Sequence, residues 1–489
     1  MKPAHILSPS RPSDRALRAA ALFGLAIEWR TTPAHRPHAR HWARAAADIL
    51  RALRTGGIVF ITGPSGGGKS TLLRALSVHL AARGANIEWV RSRRARRAVP
   101  LIDTVPGSLR ARLGALAHAG LAEPRLWNVP TTHLSEGQHA RSALARAIAR
   151  CPRHATGTTL LADEFCSPLD RITAWCVAAS LARWARAAPA RLVIVATAHD
   201  DLIEPLRPDV LVHVSLTGHV AIHPPPRPAE GVVRPGRTGG GACNATKQEA
   251  STTPAARFVI RPGTRANYEN LSPHHYRAAR PGPVCRVLVA LDRTAANVVG
   301  ALVVSLPPLN GPWRTWLPPC SARERARLIN TQVRVISRVI IDPRYRGMGL
   351  ATRLVRAYLA RPLTPRTEAL AAMGTVCPFF ERAGMTATPR PRSARDARLL
   401  SALSLARLSP WRLAAWATLP APTRSNRPLR LALRRWANDS RATRSLARAS
   451  LAAIARAAAT VGQRAVIFQH TGDHPGGCSV HSMPSSPKG

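Results

Sequence analysis

The sequence predicts an α/β protein of two tandem domains followed by an Arg/Ala-rich helical region. Three observations carry this. The apolar run Gly57-Ile-Val-Phe-Ile-Thr62 meets the glycine-rich turn Gly63-Pro-Ser-Gly-Gly-Gly-Lys-Ser70, and Thr71–Leu76 continues with helical character. The same succession returns far downstream, where Val339-Ile-Ile341 leads through Asp342-Pro-Arg-Tyr-Arg-Gly-Met-Gly-Leu-Ala351 into the helical stretch Arg353–Leu359. From Pro391 to Gly489 there are 16 Lys/Arg and 3 Asp with no Glu, and runs such as Ser445–Arg456 have helical spacing.

The first turn fits the phosphate-binding pattern Gly-x-x-x-x-Gly-Lys-Ser in the strand–loop–helix context that the pattern requires. Its glycines let successive backbone N–H groups turn inward around phosphate oxygens at a helix N-terminus. Gly63, Pro64, Ser65, Gly66, Gly67, Gly68, Lys69, Ser70 and Thr71 are the expected ATP-binding residues. Lys69 adds a point charge on the β- and γ-phosphates, and the Ser70 hydroxyl is an Mg²⁺ ligand. Further on, the buried-strand run Thr158-Thr-Leu-Leu-Ala162 ends in Asp163-Glu164, and Leu192-Val-Ile-Val-Ala-Thr-Ala-His199 is a strand that delivers a histidine.

Leu134-Ser-Glu-Gly-Gln138 differs by one residue from the Leu-Ser-Gly-Gly-Gln signature of ABC ATPases, and Ser167-Pro-Leu-Asp170 resembles that family's D-loop. With the elements above, five motifs stand in the family's order, and residues 10 to 225 resemble an ABC ATPase head. The resemblance implies that Asp163 holds Mg²⁺, that Glu164 polarises the attacking water and that His199 senses the γ-phosphate. It also implies that Ser135, Gly137 and Gln138 close on ATP bound by a second head, so that the protein works as a homodimer. Positioning and charge stabilisation dominate such phosphoryl transfer.

Two features depart from that pattern. Residues 71 to 133 contain no glutamine for the family's Q-loop, and Asp103 is the nearest polar substitute. The stretch between Lys69 and Leu134 is short, which implies a reduced helical subdomain and weakens a transporter reading. Trp29 and Trp42 are both candidates for stacking on adenine, and a core role is open for each.

Val210–Leu216 and Gly218–His223 read as a hairpin closing a domain of residues 1–225, and Pro/Gly-rich residues 226–256 read as a linker. The domain expected at 257–390 carries the second phosphate-type loop, preceded by two strands, Cys285–Leu291 and Val298–Leu306. This loop resembles motif A of the GNAT acetyltransferases, and Phe379-Phe-Glu-Arg-Ala-Gly-Met385 resembles the family's following segment. The resemblance implies that Arg344, Arg346, Gly347, Met348, Gly349, Leu350 and Ala351 grip the diphosphate of acetyl-CoA, with Val339 and Ile341 along its pantetheine arm. Phe380 stands where the family's proton-donating tyrosine belongs, and Thr331–Arg338 holds no glutamate for a general base. His275, Tyr276, Glu381 and Cys377 are the substitutes at hand, for each of which a core or surface role is the plainer reading.

Together the two resemblances match a prokaryotic family defined by this fusion, which implies an architecture and names no substrate. Residues 391–489 are expected to form a basic helical region and a flexible tail, where His470, His474, Cys478 and His481 have spacings compatible with zinc.

Charge separates the function classes. The chain of 489 residues carries 71 Lys+Arg against 25 Asp+Glu, net +46. GC-rich coding accounts for arginine over lysine better than for the excess over acids. The charge makes nucleic acid, DNA or RNA, an expected partner, with biased composition or an acidic protein as the alternatives. The densest basic run is Arg91–Arg97. No apolar run reaches the ~18 to 20 residues of a membrane helix, there is no secretory leader pattern, and eight cysteines lie without a Cys-x-x-Cys pair. A cytoplasmic protein with no membrane partner is expected. The reading is an ATP-hydrolysing dimer that acetylates an amine on nucleic acid or nucleoprotein, or alternatively an ATP-gated nucleic-acid clamp with a non-catalytic acetyl-CoA-binding domain.

Overall fold

The computed structural model describes residues 4–8, 12–22, 25–29, 37–53, 56–92, 98–151, 158–223, 257–275, 281–389, 392–463 and 465–472. Most of the arginine run (93–97), the linker, Tyr276, His474, Cys478 and His481 lie outside them, as does the side chain of Trp29. The chain divides into two compact units, Met1–Ala98 with Thr131–Asn244, and Val99–Pro130 with Ala245–Gly489.

In the first unit, β1 (Ala4–Ser8) and β2 (Leu25–Trp29) pair in parallel around helix α1 (Asp14–Leu22). Helix α2 (Pro37–Ala52) then precedes the main sheet. That sheet holds β3 (Gly57–Thr62), β4 (Asn86–Val90), β5 (Thr158–Ala162), β6 (Leu192–Ala196), β7 (Val210–Val214) and β8 (Val220–His223) in the order β4-β5-β6-β3-β7-β8. All neighbours are parallel except the β7–β8 hairpin. Burial on both faces explains the apolar runs of β3 and β6, and in β5 it takes in Thr158 and Thr159 as well as Leu160 and Leu161. Val59 and Ile61 of β3 share a core with Ile49 of α2, with Leu72, Leu73 and Leu76 of α3 (Lys69–Ala82), and with Val212 of β7. Ile58 and Phe60 alternate with them and are equally buried, so they point to the opposite face.

The second unit has a seven-stranded sheet in the order β14-β15-β13-β12-β11-β10-β9. Its strands are β9 (Phe258–Pro262), β10 (Val284–Asp292), β11 (Asn297–Ser305), β12 (Val333–Ile341), β13 (Arg366–Ala371), β14 (Thr386–Pro389) and β15 (Val466–Thr471). Every pair is antiparallel except β12–β13. The strand β15 comes from the stretch in which the sequence suggested only basic helix and tail, and it inserts between β13 and β14. Between β14 and β15 the chain builds a helical insertion with its own core, formed by Leu399, Leu403, Leu413, Trp416, Leu429, Leu433, Trp436 and Ile454. No described helix is long and apolar enough to cross a membrane.

Candidate nucleotide and acetyl-CoA sites

The register of the first sheet brings its candidate residues to one edge. Ile61 of β3 stands level with Ala196 of β6, and Ala162 of β5 with Val195. The loop after β3, Asp163-Glu164 after β5 and Thr197–His199 after β6 therefore leave the sheet together at the carboxyl ends of parallel strands, where open α/β sheets bind ligands. Two backbone bonds fix their relative height, Thr197 N–H to the Ile61 carbonyl at 3.0 Å and Phe165 N–H to the Ala196 carbonyl at 2.9 Å.

The loop is shaped from below. A Cβ on Gly63 would lie 2.0 Å from the Val214 carbonyl oxygen, and one on Gly68 only 2.6 Å from the Trp42 ring. Gly68 has φ +104° and is the N-cap of α3 with no side-chain cap bond, so the first N–H groups of the helix are left to a ligand. A Cβ on Gly66, by contrast, would meet nothing within 4 Å. Lys69 Nζ donates to the Gly63 and Pro64 carbonyls at 2.7 and 2.8 Å, which holds the ammonium over the loop. Trp42 is buried beneath this loop in the α2–α3 core.

Glu164, exposed beyond the buried β5, has φ +49°, and Cys166 has φ +60°. Left-handed conformations at non-glycine residues cluster where function over-determines the backbone. The Glu164 N–H donates to Asp163 Oδ1 at 3.1 Å. The Asp163 carboxylate and Ser70 are the side chains that would hold Mg²⁺. Among the described residues no three His, Cys, Asp or Glu side chains converge on a metal position. That donor set suits a hard cation that takes its remaining oxygens from phosphate and water. His199 is half-buried, its N–H donates to Thr197 Oγ1 at 3.3 Å, and the neighbouring Asp200 accepts from the Thr62 hydroxyl.

Ser135 caps the helix Glu136–Arg150. Its side chain accepts from the Gln138 N–H at 3.3 Å, and the Gln138 side chain accepts from the Ser135 N–H at 3.0 Å. Gly137 is packed against the D-loop segment, since a Cβ there would lie 3.0 Å from Leu169 and 3.2 Å from the Pro168 carbonyl. Asp170 caps the helix Arg171–Arg186 through the Thr173 N–H. Asp103 lies in the second unit and pairs with Arg112 at 3.5 Å. Burial pushes the Cys166 thiol well up, which makes it inert beside Glu164.

In the second unit, β12 and β13 pair only from Val333–Arg366 to Ile336–Ala369, although β12 runs on to Ile341 and β13 to Ala371. A β-bulge marks the parting, because Val303 and Val304 of β11 face Arg338 and Ile336 and leave Ser337 extra. The Ser337 hydroxyl is held by the Ser305 hydroxyl at 2.8 Å and the Val303 carbonyl at 3.2 Å. Val339 and Ile341 lie beyond the stretch of β12 that pairs with β13; the Ile341 carbonyl accepts from Arg346, and among the described residues no strand pairs with this stretch on the side away from β11. A slot of that kind suits the amide-bearing arm of acetyl-CoA.

The glycine loop follows at once. Gly347 and Gly349 both have φ +83°, and Gly349 is the N-cap of helix Leu350–Leu359 without a side-chain cap bond. Arg344 is clasped by Asp342, with Nη2 to Oδ2 at 2.9 Å. Burial raises the Asp342 pKa, but the Arg344 hydrogen bonds and charge outweigh it and hold the carboxyl below its usual range. Arg346 spreads over three carbonyls, Ile341 at 3.0 Å, Ala122 at 2.8 Å and His274 at 3.1 Å. Tyr345 between them is buried, and its hydroxyl donates to Asp292 at 3.2 Å. Asp292 also forms a two-point ion pair with Arg257 at 2.9 and 2.7 Å.

Phe380 is buried and stacks on Phe468 of β15 with centroids 5.0 Å apart. Glu368 on β13 is buried in a two-point ion pair with Arg314, both contacts 2.9 Å, so it is committed to structure. Cys377 is half-buried and its thiol pKa is pushed up by burial, while Glu381 is exposed. His470 sits in β15 opposite Thr367. The Asp292–Tyr345 brace and β15 are contributions that the motifs did not reveal, whereas Trp42, a sequence candidate for adenine stacking or for the core, lies in the core. The strand-like run Val466-Ile-Phe was the one available signal for β15.

A family model described as an AAA ATPase domain matches residues 40–212, and one described as the acetyltransferase (GNAT) family matches residues 261–384. The chain is similar to a zinc import ATP-binding protein of Ruegeria pomeroyi, 39% identical over 142 residues, which are 26% of this chain and 52% of that protein. It thus spans about half the length of that relative. It is also similar to a hemin import ATP-binding protein of Pseudomonas putida, 30% identical over 177 residues, which are 30% of this chain and 69% of that protein. A solved dimeric ATP-binding cassette, bound to ADP and Pi in a post-hydrolysis state, aligns with 35% of this chain and 87% of its own at 21% identity, with a TM-score of 0.29. The chain belongs, through its N-terminal region, to the ABC-type ATPases, and it carries a GNAT-family acetyltransferase domain behind that region.

Proposed function

We propose that the protein binds and hydrolyses Mg-ATP at the Gly63–Ser70 loop and binds acetyl-CoA in the slot between β12 and β13. Glu164 polarises the attacking water, His199 contacts the γ-phosphate, and Asp163 and Ser70 hold Mg²⁺. Ser135, Gly137 and Gln138 complete the site of a second copy, so the working form is a homodimer. ATP supplies the phosphoryl group and acetyl-CoA the acetyl group. The residues of this chain orient them and neutralise their phosphates.

The parting of β12 from β13 at Ser337 carries the acetyl-CoA half of the reading, because it opens a strand edge at Val339 to an extended amide chain beside a glycine loop and a helix N-terminus. The proposed acceptor is an amine on nucleic acid or nucleoprotein, in keeping with the net charge of +46. A neutral amine held against the thioester needs no strong base, so proximity suffices for transfer.

The buried, aromatic surroundings of Phe380 favour a second reading, in which the domain binds acetyl-CoA without turnover and the protein acts as an ATP-gated clamp. Thiol release from acetyl-CoA by the full chain, with fractionated nucleic acid and protein as acceptors, separates the two. Acceptor-dependent release is expected. Binding of acetyl-CoA without release under every acceptor replaces the transferase with the clamp.

A further inference from the structure

We propose that the segment Val99–Pro130 couples the two ligand sites, holding the acetyl-CoA loop through Arg346 so that nucleotide binding alters the affinity for acetyl-CoA and the reverse. The proposal rests on the readings of both sites given above.

The segment interrupts the ATPase sequence between β4 and the helix Glu136–Arg150, yet it belongs to the second compact unit. It is closed on itself. Pro100 and Pro130 form a bridge across its ends, Leu101 N–H donates to the Val129 carbonyl at 3.0 Å, and Leu101, Val105, Leu116 and Leu121 are fully buried. A loop pinned at its neck moves as one body. Only the turn Thr131–His133 separates that neck from Leu134 and Ser135, the start of the proposed nucleotide-closing motif. Ser135 and Pro130 are thus near neighbours along the chain, and the backbone is the route by which a rearrangement of Ser135 on nucleotide reaches the segment.

At its other end the segment holds the acetyl-CoA loop. Arg346 immediately precedes Gly347, and its guanidinium spans the end of β12, the turn at His274 and the Ala122 carbonyl. The first two contacts brace the loop within its own fold. The third adds a 2.8 Å charge-assisted bond to the segment, with the Glu123 carboxylate favouring the charged guanidinium against the cost of burial. A planar fork satisfied by three carbonyls in fixed positions cannot follow one of them without turning. Displacing Ala122 therefore moves the backbone that presents Gly347–Gly349 to the diphosphate.

Coupling of this kind is reciprocal, so each ligand must change the affinity of the other by the same factor. Calorimetry on the full-length protein tests it with AMPPNP and acetyl-CoA as ligands. Saturating AMPPNP is expected to change the acetyl-CoA Kd by about 5-fold or more, and saturating acetyl-CoA to change the AMPPNP Kd equally. Glu123→Arg, which sets a like charge beside Arg346, should return both factors to about one while each ligand binds alone as before, and Glu123→Gln should fall between. Two ligands that bind independently in the wild type would overturn the coupling, as would an unchanged factor in Glu123→Arg. Absence of acetyl-CoA binding would overturn the underlying site, and the coupling with it.

Discussion

Phe380 and Phe468 stack with ring centroids 5.0 Å apart, and this contact joins a residue at the expected proton-donor position to a strand 88 positions later in the chain. Phe379 adds a third ring at 4.3 Å from Phe380. Where the family resemblance implies a hydroxyl, this chain has an aromatic cluster that fastens β15 into the sheet. In Phe380→Tyr the added hydroxyl enters a packed apolar neighbourhood, which costs on the order of 1–3 kcal/mol. Thermal unfolding should begin several degrees lower, and thiol release should not rise. A faster, equally stable variant would show that the ring edge reaches the reacting thiol.

Glu164 stands in the left-handed region at φ +49°, a cost of about 1–2 kcal/mol for a residue with a Cβ. Glycine removes that cost and adds unfolded-state entropy of about 0.5–1 kcal/mol. Glu164→Gly should accordingly keep or slightly raise the melting temperature while ATP turnover collapses. A clear loss of stability would mean that the carboxylate supports the fold.

Asp292 is fully buried and receives Arg257, Tyr345 and the amides of Thr294 and Ala295. Burial raises its pKa, but the hydrogen bonds and charge of Arg257 outweigh burial and hold it below the ordinary value. A depressed folded pKa means that the stabilisation is present above the unfolded value near pH 4 and is lost as pH falls through the folded one. Asp292→Asn leaves the guanidinium without its counter-charge, a loss of about 3–5 kcal/mol at neutral pH. Denaturant titrations should show the gap between wild type and variant narrowing below about pH 4. A gap independent of pH would remove the ion pair from the account.

Local structure was legible in the sequence wherever it occupied consecutive residues. The loops Gly63–Ser70 and Arg344–Ala351 each stand between the strand and helix that their motifs require. What sequence could not supply was long-range. Trp42 lies under Gly68 because α2 packs on α3, and no spacing rule brings that tryptophan to the loop. The strand β15 follows a helical insertion with its own core, so its pairing with β13 depends on a closure that local pattern does not encode. The threefold use of Arg346 was hidden for the same reason, since the Ala122 carbonyl comes from a distant part of the chain.

The most direct test of the account is the ATP turnover of Glu164→Gln measured beside wild type and Lys69→Ala. Lys69 is the one side-chain cation on the loop carbonyls of Gly63 and Pro64 among the described residues, so its loss should abolish nucleotide binding. Glu164→Gln should keep ATP, lower hydrolysis by about 10²–10⁴-fold as expected for losing one proton-transfer group, and sediment as an ATP-bound dimer. Turnover at the wild-type rate in Glu164→Gln would contradict the assignment of water activation to this residue.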